Sequence, residues 1–272
     1  MGLVCANAYV WTVVRAETHT GVLRVSVLDV GQGDAIFIET PSGNQMLLDG
    51  GPDRTILQRL SEVMPYGDHS IDILALSHPH KDHLEGFLDV LPLYEVGQIV
   101  DSGTENPTGE YRTWRQEIRD KQIKETVLRR GMRIDMGDGV LFSVVLPNGD
   151  VSSSTPHDGM LVMRLTYGDT SFMLTGDMEE NLESLIVGSD GKNLASDVLK
   201  VGHHGSHTSS SEPFLDAVHP KYAVISSGKG NSYGHPHKET IEHLSAREIE
   251  THRTDLEGTV TFESDGKTVS VQ

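Results

Sequence analysis

The chain has 272 residues, long enough for one large core or two small ones, and its 28 glycines and 11 prolines suit a globular protein built of short elements and tight turns. With 40 acidic against 22 basic residues the net charge is −18, which sets the surface against phosphate backbones and argues against a dedicated, high-affinity nucleic-acid binder. That balance still admits a nuclease that meets DNA only at a metal centre, where the ions supply local positive charge.

Leu3 to Val14 is mildly apolar, too short to span a bilayer and not preceded by Lys or Arg, so residues 1–22 read as an N-terminal arm or the remnant of a membrane or export segment. The single cysteine, Cys5, excludes an internal disulfide. From Leu23 an alternating apolar pattern predicts three strands, Leu23 to Val30, Ala35 to Thr40 and Gln45 to Asp49, divided by turns at Gly31–Asp34 and Pro41–Asn44. Helical spacing follows over Asp53 to Met64, with Asp53 as the cap, then an apolar strand Ile71 to Leu76 and a helix Leu84 to Val90. After a strand Gln98 to Asp101, a helix Thr108 to Lys124 carries Tyr111, Trp114 and Ile118 on one stripe. Its Arg112, Arg115, Arg119 and Lys121 alternate with Glu110, Glu117 and Asp120, which favours a solvated face over a nucleic-acid surface.

The second half repeats the scheme: strands Val140–Leu146, Met160–Tyr167 and Ser171–Thr175, a helix Glu179–Val187, a strand Asp197–Val201 and a helix Pro213–Val218. Strand Tyr222–Ser226, helix Lys238–Glu248 and two closing strands, Thr259–Glu263 and Lys267–Val271, complete it. No linker stands out, so residues 23–272 are expected to form one domain of two packed sheets with outer helices.

Ser77-His78-Pro79-His80-Lys81-Asp82-His83 concentrates four metal-ligand side chains within six residues where a buried strand gives way to a helix. His78 and His80, two apart, can point the same way from an extended backbone, while Asp82 and His83 diverge enough to serve a second ion. Asp49, Asp177 and the pair His203-His204 likewise close apolar strands, so they converge on one sheet edge.

The His78–His83 cluster with Gly176-Asp177 and the later histidines resembles the signature of the metallo-β-lactamase superfamily. Asp29 to Asp34, His203 to Ser206 and Asn231 to Pro236 narrow the resemblance to the C-terminal metallo-β-lactamase-like domain of the ComEC/Rec2 competence proteins and its free-standing relatives. That resemblance implies an α/β protein, an αββα sandwich with two metals at one edge. It places His78 and His80 on the first ion, Asp82, His83 and His204 on the second, and Asp177 between them, with His203 turned to substrate. His80 and His157 depart from the competence pattern and complete the first ligand set. Asp82, His203 and Asp49 are the expected catalytic set, Asp49 acting by orienting a ligand histidine. Lys200, Ser206, His207 and His235 are expected to contact substrate.

The imidazole-rich set suits Zn(II) better than Mn(II), and two ions would acidify a shared water to a pKa of about 7. The resemblance implies a phosphodiesterase or nuclease acting on DNA at or outside the membrane, with membrane association through the N-terminus. A hydrolase of β-lactams, lactones or small phosphoesters is the alternative, and a non-catalytic DNA-uptake module is a third reading that the net charge disfavours.

Overall fold

A computed structural model describes residues 21–272, and the expected arm over 1–22 lies outside them apart from Gly21 and Val22. The first half builds β1 (Leu23–Val27), β2 (Ile36–Glu39), β3 (Gln45–Leu48), α1 (Thr55–Val63), β4 (Ser70–Leu76), α2 (Lys81–Val90), β5 (Glu95–Asp101), α3 (Gly109–Lys121) and β6 (Lys124–Val127). The second half adds β7 (Arg133–Asp135), β8 (Val140–Leu146), β9 (Val162–Tyr167), β10 (Thr170–Leu174), α4 (Glu180–Asp190), β11 (Val198–Lys200), α5 (Glu212–Val218), β12 (Tyr222–Ile225), α6 (Lys238–Ser245) and β13 (Glu250–Arg253). The short α7 (Thr254–Glu257) leads to β14 (Val260–Ser264) and β15 (Val269–Val271).

Two sheets result, one ordered β15-β14-β1-β2-β3-β4-β5-β6 and the other β13-β12-β11-β10-β9-β8-β7. Each is antiparallel at one end and parallel at the other, β3 to β6 and β10 to β13 being the parallel runs. Alternation in the antiparallel strands puts Val25, Ile38, Phe142, Leu165 and Phe262 between the sheets. The parallel strands are apolar on both faces because helices cover them. Leu47, Leu74 and Ile99 meet Ile56, Leu60, Phe87 and Trp114 of α1 to α3, while Met173, Leu199 and Ala223 meet Ile186, Phe214 and Leu244 of α4 to α6. The layers therefore run helix, sheet, sheet, helix, as the sequence led us to expect.

The helix expected to reach Lys124 stops at Lys121, because Gln122 takes a left-handed conformation whose N–H caps the Arg119 and Ile118 carbonyls. Lys124 then begins β6. That strand, β7 and β13 all escaped the apolar pattern, and each lies at a sheet edge, where charged and half-exposed residues replace alternation.

Candidate metal centre

The carboxyl ends of the parallel strands of both sheets meet along one seam. Asp49 follows β3, Ser77 and His78 follow β4, Asp177 follows β10, and the turn Gly202–Gly205 lies just beyond β11. His80 caps α2 with an extended backbone, and Asp82 and His83 form that helix's first turn. The β1–β2 turn is clamped to α2 by Asp34 N–H donating to the Asp82 carbonyl at 3.1 Å. A side chain on Gly33 would collide with that same carbonyl, so only glycine permits the approach.

Within this seam His78, His80, His157 and Asp177 present ligand atoms that all lie within 4.8 Å of one another, and so do Asp82, His83, Asp177 and His204. Asp177 alone belongs to both groups. Its Oδ2 is 3.3 Å from His83 Nε2 and 3.8 Å from His78 Nε2, and its Oδ1 is 3.5 Å from His204 Nε2. His204 Nε2 also stands 3.3 Å from Asp82 Oδ2. Of the adjacent pair, the turn delivers His204 to the group and leaves His203 on the rim. Both carry positive φ, 46° and 53°, a backbone that costs about 1–2 kcal/mol per residue outside glycine.

Hydrogen bonds on the far ring nitrogens select which atom faces the seam. Ser77 Oγ accepts from His78 Nδ1 at 3.0 Å and donates to Asp49 Oδ2 at 2.7 Å. His83 Nδ1 donates to the same Asp49 oxygen at 2.8 Å, and His204 Nδ1 donates to the Ser226 carbonyl at 3.0 Å. All three rings thereby turn Nε2 inward, as histidines that ligate metals do. Asp34, Asp49 and His83 form a third close group. Asp49 is already saturated by Ser77 and His83, so that group orients ligands rather than holding an ion.

The charge pattern matches. Burial opposes a charge on His204, but Asp177, Asp34 and Asp82 overcome it and raise its pKa to about 10. Burial is likewise outweighed at His83, which Asp177 and Asp49 hold well above the ordinary histidine value. Burial and the neighbouring His83 push His78 well below it. Burial resists ionisation of Asp177, yet His204 and His83 bring its pKa well below the usual carboxylate range. The acids of the seam thus demand positive charge, which protons on two imidazoles supply.

Three buried atoms in the two groups, His83 Nε2, Asp177 Oδ1 and His157 Nδ1, have no hydrogen-bond partner. Buried polar atoms left unpaired are costly, and two divalent cations would satisfy them. The donor set of five imidazoles and two carboxylates is suited to a dimetal site.

The residues expected at substrate divide. His203 and His235 line a cavity of about 240 Å³ over the two groups, with Gln32 and Tyr233 beside them. Lys200 does not reach it: the side chain is 1% exposed, pairs with Asp34 Oδ2 at 2.7 Å and donates to the Val201 carbonyl. Ser206 is also buried, its hydroxyl bonded to Thr208 Oγ1 at 3.0 Å within its own loop. His207 is exposed and turned to His237, with 3.0 Å between their Nδ1 atoms, and lines no part of the cavity. These three expectations are corrected: Lys200 and Ser206 turn into the interior, and His207 turns outward to His237. Asp49 is wholly buried behind His83, in keeping with an orienting role. The sequence reading passed over Asp34, Glu179 and Tyr233. Asp34 looked like turn chemistry, and only tertiary contact brings Glu179 Oε1 to 3.0 Å from His203 Nδ1.

Comparison with known proteins bears on the fold and the family. The chain is 33% identical over 242 residues to competence protein ComA of Neisseria gonorrhoeae, covering 88% of this chain and 32% of that one. It is 29% identical over 279 residues to ComE operon protein 3 of Bacillus subtilis strain 168, covering 96% and 35%. The chain thus spans about a third of the length of these relatives. Among solved structures, the metallo-beta-lactamase fold protein YhfI from Bacillus subtilis superposes with a TM-score of 0.56 at 11% identity, covering 85% of this chain and 95% of that one. Residues 28–229 match the profile of the metallo-beta-lactamase superfamily, and the chain belongs to that superfamily.

Proposed function

We propose that the protein is a binuclear metal-dependent phosphodiesterase that cleaves DNA strands, with Zn(II) as the better fit and Mn(II) as the alternative. The observation that carries this reading is the sharing of Asp177 by two complete ligand groups under one open cavity. Paired ions of this kind are the recurring device for in-line displacement at phosphorus, where attacking and leaving oxygens both need charge stabilisation. When bound, the ions supply Lewis acidity at oxygen and lower the pKa of water. His78, His80 and His157 would hold one ion, Asp82, His83 and His204 the other, with Asp177 between.

The chain's own groups do the rest. Asp82, only partly buried, stays ionised because His83 and a bond from His204 outweigh its burial, which suits it to hold an ion rather than to take up a proton. His203, anchored through Nδ1 to Glu179, keeps Nε2 free to protonate a leaving oxygen. The relatives named for competence support DNA as the substrate.

The test is a panel of single-stranded DNA, bis-p-nitrophenyl phosphate, a lactone and a chromogenic cephalosporin, assayed with Zn(II) and with Mn(II). Wild-type protein should carry about two metal equivalents and turn over the phosphodiesters, and Asp177→Ala should lose both properties. Turnover of the cephalosporin or lactone alone would overturn the reading, as would tight DNA binding without cleavage.

A further inference from the structure

Among the exposed large apolar side chains of the described residues, Tyr233 alone lines the cavity over the histidine and aspartate groups. It is 66% exposed, so its aromatic face is open to a ligand at the mouth of the site. Its ring lies nearly parallel to that of His235, with centroids 5.7 Å apart and planes at 23°. The His235 ring in turn is 6.3 Å from that of His204, so Tyr233 stands two ring contacts from the seam.

The loop that presents the tyrosine is preorganised by one side chain. Asn231 Oδ1 accepts from Tyr233 N–H at 3.1 Å and from His235 N–H at 3.0 Å, while its Nδ2 donates to the Gly228 and His235 carbonyls. The backbone that carries the ring is therefore held before any ligand arrives, which reduces the entropy lost on binding.

The charge of the cavity completes the argument. Its lining of Gln32, His80, Asp82, His157, Asp177, His203, His204, Tyr233 and His235 includes no lysine or arginine, and the chain as a whole carries −18. A nucleic-acid strand entering this cavity meets no lysine or arginine in its lining. Grip beyond the ions must come from something indifferent to charge, and stacking of a base on an aromatic face is such a force.

Resting on the phosphodiesterase reading, we infer that Tyr233, backed by His235, is a stacking platform for the nucleobase next to the scissile phosphate. Any base has a π-face, so the platform makes the enzyme prefer strands with unstacked bases without reading their sequence. It also makes binding depend weakly on salt, because few phosphates are neutralised by the protein.

The experiment uses the full chain loaded with Zn(II) and a cleavage-resistant phosphorothioate oligonucleotide carrying 2-aminopurine. Wild-type protein and Tyr233→Phe should quench the fluorophore and bind alike. Tyr233→Ala should lose the quench and bind about tenfold more weakly, the scale of one lost base stack. An oligonucleotide abasic at that position should bind wild-type protein weakly and be far less sensitive to the alanine change. Circular dichroism and metal content check that each variant folds. Equal affinity of wild-type and Tyr233→Ala protein, equal affinity of wild-type protein for the base-bearing and abasic strands, or no binding by wild-type protein, would overturn the inference. Failure of the phosphodiesterase reading appears separately, as wild-type protein without activity on bis-p-nitrophenyl phosphate.

Discussion

Asp49 touches no cavity wall, yet its carboxylate fixes both His83 and, through Ser77, His78. Asp49→Ala is expected to weaken metal binding or activity by about 10- to 100-fold while leaving both ligand groups intact, to be read by metal titration monitored calorimetrically. Lys200 belongs to a different economy. Lys200→Met leaves Asp34 ionised and buried with only His204 beside it, which should cost about 3–5 kcal/mol in urea unfolding. The double change with Asp34→Asn removes both charges and should recover much of that loss. At this scale the sequence disclosed what is chemically dense: His78, His80, Asp82 and His83 stand out because ligand types cluster. Lys200 and Asp34 did not, because a buried pair formed across 166 positions leaves no local trace.

Glu183 illustrates how an element can be tied down by a carboxylate. It is fully buried on α4, and its two oxygens accept from Ser210 and Ser211 N–H at 2.6 and 2.8 Å, locking the helix to the loop after the His203-His204 turn. Burial raises its pKa to about 7 despite those bonds. Since the folded value lies above the unfolded one, the folded state binds more protons between pH 4.5 and about 7. Stability from this group is thus full below pH 4.5 and is lost as pH rises through about 7. Glu183→Gln should flatten that decline by up to about 3 kcal/mol, measured as unfolding free energies at pH 5 and pH 8. The sequence marked α4 as a helix but not this tie, since the partners, Ser210 and Ser211, lie 27 and 28 positions away. The same limit hid β6, β7 and β13. Interior strands announce themselves by apolar periodicity, whereas edge strands are recognised only by the neighbour they pair with.

Across the whole molecule, the four-layer order was legible because each half alternates strands and helices and because parallel strands read as unbroken apolar runs. What pairs with what across the sandwich was not, since register between two sheets is set by packing rather than by any local pattern. Chelation should reveal how far the fold depends on its ions. Removing them with EDTA is expected to lower the thermal midpoint, and restoring Zn(II) to return it, because a ligand held only by the folded state stabilises by about 4 kcal/mol at a thousandfold excess over Kd.

The seam adds a mechanical consequence. His78, His80, Asp82 and His83 hang from the first sheet, and His157, Asp177 and His204 from the second. Each ion would therefore act as a rivet between the layers at this end, beside the polar ties already there, the Lys200–Asp34 pair and the Leu161 N–H bond to the Ser77 carbonyl. Hydrogen exchange should register this as faster opening of the ends of β4 and β10 in metal-stripped protein, with the far end of the sandwich unchanged. Neither half of the chain carries a complete ligand group, so the site exists only while the two sheets stay in step. Metal occupancy then serves as a gauge of how faithfully the layers are aligned.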